Sequence, residues 1–276
     1  MLKPLLLTLP ETEIVVATYE GGDPNGQPLF FLHGNSLAAD TFGRQWLDPT
    51  LQRFRLVAID LPGHGQSPAA PGNYSVPAMR AAVRATMQAL GAEQAIAVGH
   101  SYGGNLLLEL LPDLPKLRGL LTIGAPPVST PAEMQAAFQL SETGMLFYEA
   151  ALSAVQIDAL ARYCLRPNAP ADEIALLAAD IARTDGRARP DLLASIGAGG
   201  MSDEVAHVGK TAVPLAFAVG EFEEAINFVY FEMLAVPSRW KKALHVVPGS
   251  GHSPFLENPA AFNQLLLDFA LATNRQ

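Results

Sequence analysis

Short apolar runs recur along the chain, and most are continuous rather than alternating: residues 29–32, 55–59, 94–98, 117–123, 213–219 and 244–247. A strand that is apolar at successive positions has both faces covered, which predicts a parallel sheet lying between helical layers. Residues 77–90, rich in Ala and Met at helical spacing and stopped by Gly91, predict one of those helices. Residues 5–9 and 13–19 read instead as an opening antiparallel pair, followed by the turn-rich Gly21-Gly22-Asp23-Pro24-Asn25-Gly26. The expected fold class is α/β, a mostly parallel central sheet flanked by helices.

The strand pattern lapses between residues 128 and 208, where the periodicity is helical. Helices are predicted at 131–140, 145–160 and 171–182, with Pro167, Pro170, Gly186 and Pro190 as breaks. We read 1–127 and 209–276 as one core and 128–208 as a helical cap inserted between two strands. A separate helical domain beside the sheet is the alternative. No internal repeat or low-complexity segment interrupts the chain.

Candidate chemistry centres on Gly99-His100-Ser101-Tyr102-Gly103, a G-x-S-x-G pentapeptide. An apolar stretch precedes it, and Gly104-Asn105-Leu106-Leu107-Leu108-Glu109, with helical character, follows it. A strand that turns this sharply into a helix lifts the central serine out of the sheet, and it needs small neighbours because a Cβ would collide. Serine becomes a nucleophile only when a base takes its proton and a carboxylate orients that base. In folds with this elbow the chain order is serine, acid, histidine. Of the six histidines, His252 follows the last strand, in Pro248-Gly249-Ser250-Gly251-His252, and is the candidate base. His245 lies within that strand, and His207 sits in an unpatterned stretch. His33, His64 and His100 are read as bracing residues. After the strand at 213–219 the chain reads Gly220-Glu221-Phe222-Glu223-Glu224, and distance from Gly220 selects Glu223 over Glu221 and Glu224 as the acid. The oxyanion of acyl transfer needs two donors, each worth about 3 kcal/mol. The backbone N–H groups of Tyr102 and, in Leu32-His33-Gly34-Asn35, of Asn35 are the candidates.

Composition narrows the partners. The chain has 276 residues, 49% hydrophobic and 16% charged, enough to bury a sizeable core. A formal charge of −9 argues against nucleic acid and anionic membrane surfaces, leaving a small molecule as the expected partner. The single cysteine, Cys164, excludes an internal disulfide and a cysteine-based zinc cluster. Pro4 and Pro10 interrupt the apolar start, beginning at Met1 and Leu2, without a signal-peptide cleavage pattern, so the expected location is cytoplasmic. The oligomeric state is not legible.

The stretches His33-Gly34-Asn35, Asp60-Leu61-Pro62-Gly63-His64-Gly65-Gln66-Ser67, Gly99-His100-Ser101-Tyr102-Gly103-Gly104 and Gly251-His252 together resemble the α/β-hydrolase superfamily. Gly124-Ala125-Pro126-Pro127-Val128, Ala182-Arg183-Thr184-Asp185-Gly186-Arg187-Ala188-Arg189 and a glutamate acid resemble its N-acyl-homoserine lactonases. The resemblance implies hydrolysis of esters or lactones through an acyl-serine, with no metal and no cofactor. General carboxylesterases, carbon–carbon bond hydrolases, cofactor-free haloperoxidases and non-catalytic members remain open, while Ser101 argues against the aspartate-dependent dehalogenases and epoxide hydrolases. Phe138, Met145, Phe147, Tyr148 and Leu152 are candidates for an acyl-binding wall, or alternatively for the cap's own core.

Overall fold

A computed structural model of the protein describes residues 3–10, 12–139 and 141–273. Eight strands, β1 (Leu5–Thr8), β2 (Val15–Gly22), β3 (Pro28–Leu32), β4 (Arg55–Ile59), β5 (Ile96–His100), β6 (Gly119–Ile123), β7 (Leu215–Gly220) and β8 (Arg239–Val247), form one sheet. Its order is β1-β2-β4-β3-β5-β6-β7-β8. Strand β2 pairs antiparallel with β1 and β4, and every other pairing is parallel.

The continuous apolar runs divide by parity. Phe30, Leu32, Val57, Ile59 and Ala97 face one layer, with Val76, Met79 and Val83 of the helix Val76–Ala89 and the leucines of the helix Tyr102–Glu109. Leu29, Phe31, Leu56, Ala58 and Val98 face the other, with Phe42, Phe255, Phe262 and Phe269. Both clusters are buried, as a sheet covered on two sides requires.

Helices dominate the stretch between β6 and β7 among the described residues, with one isolated antiparallel bridge from Phe138 to Ile226: Pro131–Ala137, Glu142–Met145, a 3-10 turn at Leu146–Tyr148, Ala154–Tyr163, Ala171–Arg183, Ala188–Gly197 and Glu204–Lys210. Leu160, Cys164 and Leu177 of this insertion join the cluster of Phe31 and Phe42, and Leu192 joins that of Phe30. Its core is therefore continuous with that of the sheet. Among the described residues no helix is long and apolar enough to cross a membrane.

Three expectations need correction. The helix predicted at 145–160 is broken, because Ser153 caps a new helix by a reciprocal box with Gln156. The helix predicted at 131–140 ends at Ala137, and Leu140 lies outside the described residues, as do Met1 and Leu2. Strand β8 starts at Arg239 rather than at 244, since Lys241 and Lys242, both at φ 51°, interrupt its apolar pattern at a register shift against β7. His207 belongs to the helix Glu204–Lys210, and its Nδ1 lies 3.2 Å from the Leu108 carbonyl.

The strand-to-helix elbow is crowded by backbone atoms. A Cβ on Gly103 would strike the carbonyl oxygen of His33 and lie 2.6 Å from that of Leu32; one on Gly99 would lie 2.6 Å from the Gly104 Cα. These are backbone neighbours, which cannot swing aside. Gly103→Ala is expected to cost about 1–3 kcal/mol of stability. Gly197→Ala, at a helix end with open space around it, should gain about 0.5–1 kcal/mol. Urea unfolding midpoints at unchanged m-value measure both; equal midpoints would remove backbone crowding as the reason for Gly103.

Candidate active site

The elbow places Ser101 between β5 and the helix Tyr102–Glu109 at φ 50°, ψ −125°, outside the ordinary regions for a residue with a side chain. The conformation is held from both sides. Ser101 N donates to Ile123 O at 2.7 Å, and Ser101 O accepts from Gly104 N at 2.8 Å and Asn105 N at 3.1 Å. Chain order reverses here, β4 lying on one side of β3 and β5 on the other, and the carboxyl ends of such strands open a crevice. Asn35 follows β3 into that crevice. Gly34 lets the two loops meet, since its Cβ would come 3.1 Å from the Ser101 Cβ and 2.9 Å from His100 Nδ1.

Glu223 and His252 are brought together by loops after β7 and β8. Gly220 permits the crossing, because a Cβ there would strike the carbonyls of Ser250 and Gly251. His252 Nδ1 lies 2.5 Å from Glu223 Oε2, and Glu223 Oε1 accepts from Ala225 N at 2.9 Å. Both side chains are buried. Glu221 does different work: it accepts from Gly249 N at 2.8 Å and braces the histidine loop. Glu224 is exposed. Burial alone would push the His252 pKa down, but the charge of Glu223 and its hydrogen bond outweigh this and leave it above the ordinary histidine value.

The other buried histidines lack such a partner. Burial lowers His33 to about 4 and His64 to about 3, and takes His100 well below the usual range. They stay neutral and brace. His33 Nε2 accepts from Leu61 N at 2.9 Å, which leaves Nδ1–H to donate to Gly34 O at 2.8 Å. His100 Nε2 donates to the His252 carbonyl at 2.9 Å, and its ring sits 4.7 Å from that of His252. His245 is half-buried against Trp240 within β8.

Ser101, His252, Asn35 and Tyr102 all line one cavity of about 450 Å³. Phe138, Met145, Phe147 and Tyr148 of the insertion contribute to its wall. Leu152 does not; it packs instead against the Phe31 and Phe42 cluster. Neither the Asn35 nor the Tyr102 backbone N–H is used by a protein acceptor among the described residues, so both are free to serve a ligand oxygen. Among the described residues no group of three or more His, Cys, Asp or Glu side chains is placed to hold a metal ion. Cys164 is buried, and burial pushes its thiol pKa up.

Two supporting glutamates escaped the sequence reading, and Gly124 entered it only within a family-like stretch. Gly124, at φ 58°, backs the acid–base pair: a Cβ would lie 2.6 Å from His252 Cε1 and 3.2 Å from Glu223 Oε2. Glu257 accepts from Gly251 N at 2.8 Å and Ser253 N at 3.3 Å, gripping the histidine loop from its following helix. Glu204 is fully buried beneath the cavity, where desolvation pushes its pKa well above normal, and it accepts from Asn105 Nδ2 and Val128 N, each at 3.0 Å. Nothing local marks the two glutamates.

Residues 29–265 match the model of the alpha/beta hydrolase family. The chain belongs to the alpha/beta hydrolase family. Among solved structures it is similar to a point mutant of the N-acyl homoserine lactonase AidH complexed with N-hexanoyl homoserine, at a TM-score of 0.91 and 28% identity, covering 100% of this chain and 98% of that one. It is 29% identical to the pimeloyl-[acyl-carrier protein] methyl ester esterase of Yersinia enterocolitica, over 89% of this chain and 94% of that protein. The match to the non-heme chloroperoxidase of Streptomyces lividans, 35% identical, spans only 30% of each. Two other curated relatives are matched over 31% and 24% of their length.

In NMR titrations His252 is expected to titrate above about 6.5. In Glu223→Gln it should fall below that value, because burial then dominates. A His252 pKa unmoved by the substitution would show that the carboxylate does not set its charge.

Proposed function

We propose that the chain hydrolyses carboxylic esters or lactones through an acyl-Ser101 intermediate, with N-acyl-homoserine lactones as the leading substrates. The observation that carries this reading is the convergence of Ser101 and the Glu223–His252 pair on one largely apolar cavity. Ser101 Oγ attacks the substrate carbonyl while His252 Nε2 takes its proton, and Glu223 stabilises the imidazolium and fixes its tautomer. The N–H groups of Asn35 and Tyr102 receive the oxyanion. His252 then returns the proton to the leaving alkoxide. In a lactone the resulting hydroxyl stays tethered to the acyl group; water, giving its proton to His252, then attacks the acyl-Ser101 carbonyl, and Ser101 Oγ leaves and takes that proton back.

We further propose that residues 128–208 act as a cap whose side chains Phe138, Met145, Phe147 and Tyr148 receive the acyl chain. Burial would contribute about 0.8 kcal/mol per methylene, so selectivity should climb with acyl length until the cavity is full. The similarity to AidH over the whole chain favours a lactone; the similarity to a methyl ester esterase favours a simpler ester.

Ser101→Ala is expected to fold and to lose roughly 10⁴-fold or more in turnover. Glu223→Gln should lose about as much, and Glu221→Gln little. Turnover of an acyl-homoserine lactone series, measured beside p-nitrophenyl esters, decides the substrate. Ring-opened acyl-homoserine supports the lactonase reading; esters alone leave a carboxylesterase, and free homoserine lactone would make the protein an acylase. A folded Ser101→Ala with a tenth of normal activity would end the serine-hydrolase reading.

Gly124→Ala separates packing from chemistry. The new methyl would push on His252 and Glu223, and displacements of about 1 Å cost roughly 10²-fold in rate. The expected result is a folded protein with depressed kcat for every substrate; unchanged kcat would mean that the pair shifts without penalty.

A further inference from the structure

We infer that Arg189 and Ser36 form a positioning relay that holds the Asn35 loop in its oxyanion-binding conformation. The inference rests on the hydrolase reading above. Arg189 Nε donates to Ser36 Oγ at 2.9 Å, and Ser36 Oγ donates to Asn35 Oδ1 at 3.1 Å. The Asn35 amide nitrogen donates to the Phe147 carbonyl at 2.9 Å. Both polar ends of the Asn35 side chain are thus tied to the helical insertion, which fixes the peptide unit that presents its N–H.

Two features argue that these contacts do more than fill space. Ser36 is fully buried at φ 61°, a conformation costly for a residue with a side chain, so its neighbours must hold it there. Arg189 is buried at 3% exposure, and no carboxylate of the described residues lies within ion-pair distance of it. Its other partner is a neutral oxygen, the Ile181 carbonyl, at 2.5 Å from Nη2. A buried guanidinium held by a hydroxyl and a carbonyl is a poor choice for stability alone. Here its fixed fork sets the hydroxyl, and the hydroxyl sets Asn35.

The relay predicts a signature in kinetics. Ser36→Ala, and Ser36→Gly, which suits the positive φ, should each lower kcat 10–100-fold while KM moves less than threefold, because a misplaced donor is missed only in the transition state. Arg189→Lys keeps the charge but not the fork and should do the same. Combined with Ser36→Ala it should add little further loss, since one chain is cut twice. The acid limb of the pH profile should stay in place, because His252 and Glu223 are untouched. Folding of each variant is checked by circular dichroism and thermal midpoint.

Folded Ser36 variants within twofold of normal kcat would overturn the relay while leaving the hydrolase reading intact, as would fully multiplying losses in the double variant. If the unaltered protein shows no Ser101-dependent turnover, the hydrolase reading falls and the relay with it.

Discussion

One close approach of backbone to backbone governs the geometry of the elbow and the loops around it. The helix Tyr102–Glu109 presses its first turn onto the carbonyl ends of β3, at a distance only Gly103 allows. That single contact sets the left-handed bend at Ser101, brings the Asn35 loop beside it, and orients the helix so that its N-terminal amides surround the serine. Strain of this type costs on the order of 1–3 kcal/mol, and it persists because two apolar layers clamp the sheet between them.

Charge is distributed with equal economy. Four histidines are buried near the elbow, and burial disfavours the cation in all of them. Three face hydroxyl-free backbone or each other and remain neutral struts. Only His252 has a carboxylate in contact, and that one partner reverses the sign of its shift. The difference between these struts and His252 is therefore one glutamate, delivered by a loop that passes over Gly220.

Much of this was legible in the chain because it depends on local order. The continuity of the apolar runs foretold a sheet with two covered faces, and the offset from Gly220 singled out the glutamate that meets His252. What escaped depends on contacts between distant segments. The break before Ser153 is decided by a capping box competing with helical periodicity. Lys241 and Lys242 hide the start of β8 because an edge strand tolerates polar, irregular backbone. Leu152 shares the composition of a cavity residue yet packs against Phe31 and Phe42, a choice made by tertiary position alone. Glu257 and Glu204 carry no motif; each is recognised only by the amides it gathers.

The two ties from the insertion to Asn35 bear on how such a molecule can change over generations. An insertion that only roofed the cavity could be exchanged freely, trading one cavity shape for another. This one reaches down and grasps the loop after β3, through the Phe147 carbonyl and through Arg189 and Ser36. On the relay inferred above, selectivity and rate are not separable modules. A transplanted roof would have to bring its own carbonyl and its own guanidinium to the same two points, and drift in the roof is confined to the side chains between them.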